Sequence, residues 1–239
     1  MKNLTGITVT CNCKALLERA YKSIRVFHPD MPLMIVDGSD KQNSCHDYVK
    51  NLPYSDPLVS IRCFDYNIGH GLGMDFALQR VATEYALIFD SDIEMKKSPI
   101  DGMLAEFDED TYGVGYIERT GLDGYEYGAH KHHKNEPEMR YLHPYFAIIS
   151  VARYKEFWPF VHHGAPCYLA MLDIHKKGLS DKIIKEYPGL GHTAGKGWNW
   201  IGNPNLGYVR HDTRGTRDIL LAQKRPEIEP GWTLNRGLV

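Results

Sequence analysis

The feature that most constrains the fold is a regular alternation of short apolar runs and amphipathic segments between residues 6 and 89. The apolar runs, rich in β-branched and aliphatic residues, predict buried strands at residues 6–10, 33–36, 58–64 and 85–89. Apolar residues at helical spacing predict helices at residues 14–27 and 71–81. Alternating strands and helices predict an α/β fold of the Rossmann-like type, with a mainly parallel sheet flanked by helices.

The second half of the chain is less regular. Strands are predicted at residues 112–117 and 145–151, and a long loop or hairpin rich in glycine, histidine and charge at residues 120–142. A helix is predicted at residues 165–177, before Gly178. Residues 188–215 have many glycines and few apolar runs, which predicts a functional loop or a tail.

Polar residues follow the predicted parallel strands at the point where each strand ends. They are Thr10, Asp37, Asn67 and Asp90. Ligands of open α/β sheets bind outside the carboxyl ends of the strands. The sequence therefore predicts one binding site at this edge of the sheet.

Asp90 and Asp92 supply two carboxylates, separated only by Ser91, directly after the apolar run YALIF. Hard cations such as Mn²⁺ and Mg²⁺ prefer carboxylate oxygens together with phosphates and water. Such a cation eases the departure of a nucleotide diphosphate by neutralising its developing charge. A solvated turn is the alternative, but the position after a buried strand favours a metal site, because buried carboxylates need compensation.

Four segments in this order resemble the glycosyltransferases of the GT-A fold, and most of all the large inverting family numbered two. VDGSD at residues 36–40 resembles that family's nucleotide-binding turn, with one aspartate missing. The segment from Asn67 to Asp75, the run YALIFDSD and residues 145–157 resemble three further family segments. Met74 and Asp75 stand where the family has arginine and asparagine. The resemblance covers roughly residues 5–195.

The resemblance implies a single GT-A domain over residues 1–239. Its nucleotide-binding half would be residues 1–110, its acceptor half residues 111–187, and its loop and C-terminal tail residues 188–239. It also implies that Asp37 binds the nucleotide base, which is expected to be uracil. The full set of implied donor contacts is Thr10, Asn12, Asp37, Asn67, His70, Gly71, Asp90 and Ser91. It implies that Asp90, Asp92 and His192 hold Mn²⁺ or Mg²⁺.

The resemblance fails at the catalytic base. Family two usually carries Gly-Glu-Asp before a late helix, whereas this chain has Gly164, Ala165 and Pro166. A general base must be a titratable group within reach of the acceptor hydroxyl, which excludes alanine and proline. His163 and Asp173 are the nearby candidates, and the stereochemical outcome stays open.

Bulk properties exclude several classes of protein. A formal net charge of −2 argues against a nucleic-acid partner held by phosphate contacts. No apolar window is long enough for a membrane span or a secretion signal, so a cytoplasmic protein is expected. The opening MKNLTGI and the runs YNIGHGLGMD and FDSDIEMKKSP resemble glycosyltransferases of chlorella-infecting DNA viruses. That resemblance implies a capsid-glycan acceptor and the host cytoplasm.

The expected function is therefore metal-dependent transfer of a hexose or pentose from a UDP-sugar to a hydroxyl of a glycan or glycoprotein. An inactive nucleotide-sugar-binding or lectin-like GT-A scaffold is the main alternative, because the Glu-Asp pair is missing. A nucleotidyltransferase is less favoured, since TCNCK at residues 10–14 lacks the expected glycine-rich signature. A dinucleotide oxidoreductase is disfavoured because the glycines at 69, 71 and 73 follow the third strand.

Overall fold

A computed structural model of the chain describes residues 3–122, 137–161, 164–190 and 207–211. The strands are β1 Leu4–Thr10, β2 Leu33–Asp37, β3 Val59–Cys63, β4 Tyr85–Phe89, β5 Ile93–Met95, β6 Gly113–Gly121, β7 Glu138–Ser150, β8 Ile184–Glu186 and β9 Val209–His211. The helices are α1 Lys14–Phe27, α2 Ser44–Ser55, α3 His70–Leu78, α4 Ile100–Ala105, α5 Val151–Tyr154, α6 Tyr168–Lys176 and α7 Ser180–Ile183.

Seven of the strands form one sheet in the order β3-β2-β1-β4-β7-β6-β8. Strands β1 to β4 are parallel to one another, whereas β7 runs antiparallel to both of its neighbours. This arrangement confirms the predicted α/β class and the mainly parallel sheet flanked by helices. The antiparallel β7 separates the parallel half from β6 and β8.

Apolar side chains of the central strands pack on both faces of the sheet. Along β4, Leu87 and Phe89 join one buried cluster and Ala86 and Ile88 join the other, as alternation along a strand requires. Helices α1 and α2 contribute to the first cluster, and α3 and α6 to the second. Burial on both faces explains why these strands were visible as continuous apolar runs.

The predicted elements of the first half lie where the sequence placed them. Helix α1 and strand β4 have the predicted bounds, and α3 begins at His70, one residue earlier than expected. The sequence pattern gives no bounds for the helix between the second and third strands. That helix, α2, begins after Asn43, whose side-chain oxygen accepts a hydrogen bond from the backbone N–H of Cys45.

Strands β6 and β7 pair antiparallel, which confirms the hairpin alternative for the described ends of residues 120–142, namely 120–122 and 137–142. Both strands are longer than the predicted 112–117 and 145–151. The pairing partner changes from Ala147 to Leu142 as β6 advances from Gly115 to Ile117. This bulge in β7 bends the strand and turns side chains out of the regular alternation.

The prediction of a loop or tail at residues 188–215 is wrong for its described end, because β9 pairs antiparallel with β5. The two-stranded sheet places residues 209–211 beside the chain that leaves β4. Within the described ranges, none of the helices has the length and apolarity to cross a bilayer.

Candidate active and metal site

Three side chains meet at the carboxyl end of β4. The Nε2 atom of His211 lies 3.2 Å from Oδ2 of Asp90 and 3.0 Å from Oδ1 of Asp92. One ligand atom from each residue lies within 4.8 Å of the others. The two aspartates lie where the sequence predicted them, whereas the histidine was not anticipated.

The backbone explains this convergence. Asp90 follows β4 directly, and its N–H donates to the carbonyl of Tyr145 on β7 (3.0 Å). Beyond Asp92 the chain forms β5, in which Ile93 is the register partner of His211. The ring of Tyr145 stacks on the imidazole of His211, with centroids 5.2 Å apart and planes 6° apart. Strand pairing and stacking therefore fix the position of His211.

The charges of the neighbouring carboxylates and imidazoles shift the pKa values of Asp90 and His211. Burial alone would raise the pKa of Asp90, but His70 and His211 beside it lower that pKa well below its ordinary value. Burial would lower the pKa of His211, whereas its hydrogen bonds and ion pairs with Asp90 and Asp92 raise it to about 10. Without a cation, the imidazole is therefore protonated at neutral pH and compensates the two carboxylates.

The donor set fits a divalent cation. Two carboxylates are the oxygen ligands that Mn²⁺ and Mg²⁺ prefer, and an imidazole adds one nitrogen ligand. The burial of Asp92 and His211, at 6% and 5% exposure, would be costly for charges that had no partner. A cation would replace the proton on His211 as the compensating charge, since metal-bound histidine is neutral.

We expect the cation-free protein to lose part of its stability as the pH rises. A histidine whose pKa is raised by folding stabilises fully below its unfolded pKa of about 6.5, and the contribution fades as the pH approaches the folded value. His211→Gln should therefore lower the free energy of unfolding by roughly 3 kcal/mol at pH 6 and by much less near pH 10. Urea unfolding in EDTA measures both.

His175→Gln, in the last turn of α6, is the matched control and should show no such trend. A difference between wild type and His211→Gln that stays constant from pH 6 to pH 10 would contradict the charge pairing.

The turn before α3 approaches the same cluster. Nε2 of His70 lies 3.1 Å from Oδ1 of Asp90. The Asn67 side-chain oxygen accepts a hydrogen bond from the N–H of Gly69 (3.0 Å), whose φ of 83° favours glycine. The structure thus places His70 beside Asp90, with Gly71 following it at the start of α3, while Asn67 shapes the turn. Contact of these three residues with a donor stays a prediction.

The predicted base-binding residues hold one another in place. Asn12 has a φ of 54° and donates its backbone N–H to Oγ of Ser39 (2.7 Å). Its side chain both donates to and accepts from Asp40, at 3.0 Å in each case. The left-handed conformation is unfavourable for most residues, but asparagine tolerates it. Asn12 therefore links the loop after β1 to the loop after β2.

Asp37 lies at the end of β2, level with Thr10 of β1, and is fully buried. Its Oδ1 accepts from the N–H of Ser39 (3.0 Å), and its Oδ2 lies 2.9 Å from Nδ1 of His46. Both carboxylate oxygens thus have protein partners. Contact between Asp37 and a nucleotide base stays a prediction.

The buried thiols of Cys13 and Cys45 lie close to Ser91 and Thr10. The Sγ of Cys13 lies 3.1 Å from Oγ1 of Thr10 and 3.5 Å from Oγ of Ser91. Hydrogen bonding with Cys45 and these hydroxyls lowers the pKa of Cys13, although its burial opposes the shift. All five cysteines carry free thiols. Thr10 and Ser91 therefore connect the predicted donor site to the buried thiols.

A cavity of about 80 Å³ adjoins Asp90, one member of the candidate metal cluster formed by Asp90, Asp92 and His211. It is lined by His70, Asp90, Thr120, Tyr141, His143, Pro144, Gly164, Ala165 and Pro166. The predicted base Asp173 instead forms an ion pair with Lys177 (2.9 Å) along α6. The other predicted base, His163, and the predicted metal ligand His192 lie outside the described residues.

Two side chains of this candidate site were not predicted from the sequence. His211 belongs to a three-residue strand, and the run from Tyr208 to His211 has the alternating burial that identifies such a strand only once its partner is known. His143 lies in the bulge of β7, which breaks the periodicity used to assign faces.

The family model described as "Glycosyl transferase family 2" matches residues 6–173. The match includes β1 to β7, with both aspartates of the cluster, and ends before His211. A search of curated protein sequences found no match to this chain.

Three solved structures share the fold at low sequence identity. The mannosyltransferase PcManGT from Pyrobaculum calidifontis, in complex with GDP-Man and Mn²⁺, has a TM-score of 0.57 at 13% identity, over 78% of this chain and 55% of its own. GalNAc-T7 with UDP, GalNAc and Mn²⁺ has a TM-score of 0.51 at 12% identity, over 66% and 36%. S. aureus TarS 1–349 in complex with UDP-GlcNAc has a TM-score of 0.50 at 16% identity, over 72% and 53%. This chain therefore spans less than two thirds of each neighbour.

Proposed function

This chain belongs to glycosyl transferase family 2, and from that membership we propose that it transfers a hexose or pentose from a UDP-sugar to a hydroxyl acceptor. The observation that carries the proposal is the cluster of Asp90, Asp92 and His211 at the carboxyl end of β4. A carboxylate pair at this edge of the sheet matches the need of a nucleotide diphosphate for a cation.

The fold neighbours support the nucleotide-sugar donor and the cation. Two were solved with Mn²⁺, and the three contain GDP-Man, UDP with GalNAc, and UDP-GlcNAc. They differ in donor, so the choice of a UDP-sugar rests on the resemblance of residues 36–40 to the family's nucleotide-binding turn. Either Mn²⁺ or Mg²⁺ suits the two carboxylates.

Each part of the site has a separate task in the proposed reaction. Asp90, Asp92 and His211 would hold the cation, which neutralises charge on the departing diphosphate when it is bound. His70 adds a nitrogen beside Asp90 and contacts the same carboxylate. The hydrogen bonds between Asn12 and Asp40 fix the loops after β1 and β2 before a nucleotide binds, so binding would cost little conformational entropy in these loops.

We propose a glycan or glycoprotein as the acceptor. The resemblance to chlorella-virus enzymes supports a capsid glycan as the specific case, and a host cytoplasm as the compartment.

An inactive nucleotide-sugar-binding or lectin-like scaffold is the second candidate. It is favoured by one observation: Gly164, Ala165 and Pro166, none of which titrates, line the cavity beside Asp90. Such a scaffold would keep the metal cluster and bind UDP without turnover.

A donor panel separates the two candidates. The protein is incubated with UDP- and GDP-sugars, with Mn²⁺ or EDTA, together with glycan acceptors, and free nucleotide is measured by chromatography. We expect nucleotide release from a UDP-sugar only when Mn²⁺ is present, because the diphosphate needs the cation to leave. Asp110→Ala, at an exposed loop, is the matched control and should release nucleotide at the wild-type rate.

Tight UDP binding without turnover on any acceptor would favour the scaffold. Failure to bind any nucleotide would contradict both candidates.

A further inference from the structure

The cavity beside Asp90 is small, and several polar side chains contribute to its lining. Its volume of about 80 Å³ admits a few water molecules or the edge of a sugar ring. Asp90 and His70 lie on it, as do His143 and Thr120 from the β6–β7 hairpin. A hydroxyl that enters this cavity therefore meets the metal cluster and the hairpin together.

The ring nitrogens of His143 have different tasks. Nδ1 accepts a hydrogen bond from the backbone N–H of Tyr145 (3.2 Å) inside the bulge of β7. A nitrogen that accepts carries no proton, so the neutral imidazole carries its proton on Nε2. The donor hydrogen of neutral His143 is therefore on Nε2, and only protonation of Nδ1 would remove the hydrogen bond from Tyr145.

Glu118 faces that donor from β6. Its Oε2 lies 4.0 Å from Nε2 of His143, and both side chains are half-buried. In the ladder, Glu118 is the partner of Tyr141, and it precedes Thr120 by two residues on the same strand face. Tyr141 and Thr120 both line the cavity. Glu118 is thus on the strand face that carries Thr120 and lies beside His143, although its own side chain is not among those that line the cavity.

The distance between Nε2 of His143 and Oε2 of Glu118 suits an oxygen atom that bridges them. A gap of 4.0 Å is too long for a direct hydrogen bond between Nε2 and Oε2. One oxygen placed about 2.8 Å from each atom would span it, accepting from the imidazole N–H and donating to the carboxylate. An acceptor hydroxyl has both the lone pair and the proton that this arrangement requires.

We propose that Glu118 is the general base of the transfer, and that His143 holds the acceptor hydroxyl against it. This assignment rests on the proposed function. Oε2 of Glu118 takes the hydroxyl proton while the acceptor oxygen forms a bond to the anomeric carbon of the donor sugar. The bond from that carbon to the diphosphate oxygen breaks, and its electron pair leaves with the nucleoside diphosphate. A single displacement of this kind inverts the anomeric configuration.

The assignment explains how the cavity can work without the Glu-Asp pair. Gly164, Ala165 and Pro166 contribute no titratable side chain to the lining. Glu118 supplies a carboxylate from β6 instead, so the chemistry of the base is retained although its position in the chain differs.

The test compares Glu118→Gln with wild type, using the donor and acceptor that the panel identifies. We expect the kcat for transfer to fall by about 10²- to 10⁴-fold, the usual contribution of a general base. The Kd for UDP with Mn²⁺, measured by calorimetry, should stay unchanged, because Glu118 is not part of the metal cluster. Glu138→Gln is the matched control, since Glu138 pairs with Arg119 on the same hairpin, and it should retain wild-type turnover.

Two further readouts decide the assignment. NMR of the product should show inversion, and formate should restore turnover to Glu118→Ala by replacing the missing carboxylate. Wild-type turnover in Glu118→Gln, or retention of configuration, would overturn the base assignment while the glycosyltransferase stands. If Glu118→Gln loses UDP binding, the formate experiment decides, and absence of recovery overturns the assignment. A wild-type protein that turns over no donor overturns the proposed function, and the base assignment with it.

Discussion

Replacing His211 by glutamine should weaken Mn²⁺ binding by at least about 100-fold, since a lost ligand costs more than a lost outer-shell partner. The imidazole lies within 3.2 Å of both carboxylates and is held by stacking on Tyr145, so glutamine cannot reproduce its position. Calorimetry with Mn²⁺ alone, or electron paramagnetic resonance of the free ion, measures the loss.

The matched variant is His192→Gln, because His192 is the metal ligand implied by the family resemblance. We expect its Mn²⁺ affinity to stay close to that of wild type. A larger loss in His192→Gln than in His211→Gln would assign the nitrogen ligand to His192 and reject His211.

The second large effect is expected at Asp92. Asp92→Ala should abolish Mn²⁺-dependent UDP binding, because one of the two carboxylates is removed from the cluster. The thermal unfolding midpoint should change little, since Asp90 remains 3.2 Å from His211 and compensates its charge. Calorimetry and thermal unfolding in EDTA measure the two quantities.

Asp110→Ala serves again as the control, and it should alter neither quantity. Unchanged Mn²⁺ affinity in Asp92→Ala would remove Asp92 from the metal site, whereas a large fall in the midpoint would give it a mainly structural role.

The sequence predicts the parallel half of the fold because its signals are local. Strands β2 and β4 contain continuous apolar runs, and Thr10, Asp37 and Asp90 stand at or directly after the ends of β1, β2 and β4. Parallel pairing brings those ends together without further information. The position of Asp90 and Asp92, the two carboxylates of the proposed metal site, could therefore be predicted from a stretch of sequence that ends at residue 92.

His211 could not be predicted in this way. Its strand β9 has three residues, and it is a strand only because β5 pairs with it. Neither segment has enough length for a periodic pattern, so the contact depends on tertiary structure alone. The resemblance directed attention to His192 instead, because GLGHT at residues 189–193 resembles the segment that carries the family's late histidine.

The hydrogen-bond partners of buried polar groups could not be predicted from the sequence either. The sequence placed Asp37 and Asn12 at strand ends, but it could not show that His46, Ser39 and Asp40 already bind them. A residue type at a strand end indicates capacity for a hydrogen bond. Only the geometry shows whether that capacity is used within the protein or directed to a ligand.

The late position of His211 has a consequence for biosynthesis. All seven strands of the main sheet lie within residues 4–186, so the ribosome has supplied the whole sheet before the segment with β9 emerges. Domains generally fold as units during synthesis, from the N-terminal side. A nascent chain can therefore bury its core before His211 is made, and under the proposed metal site it gains affinity for the cation only after translation has passed residue 211.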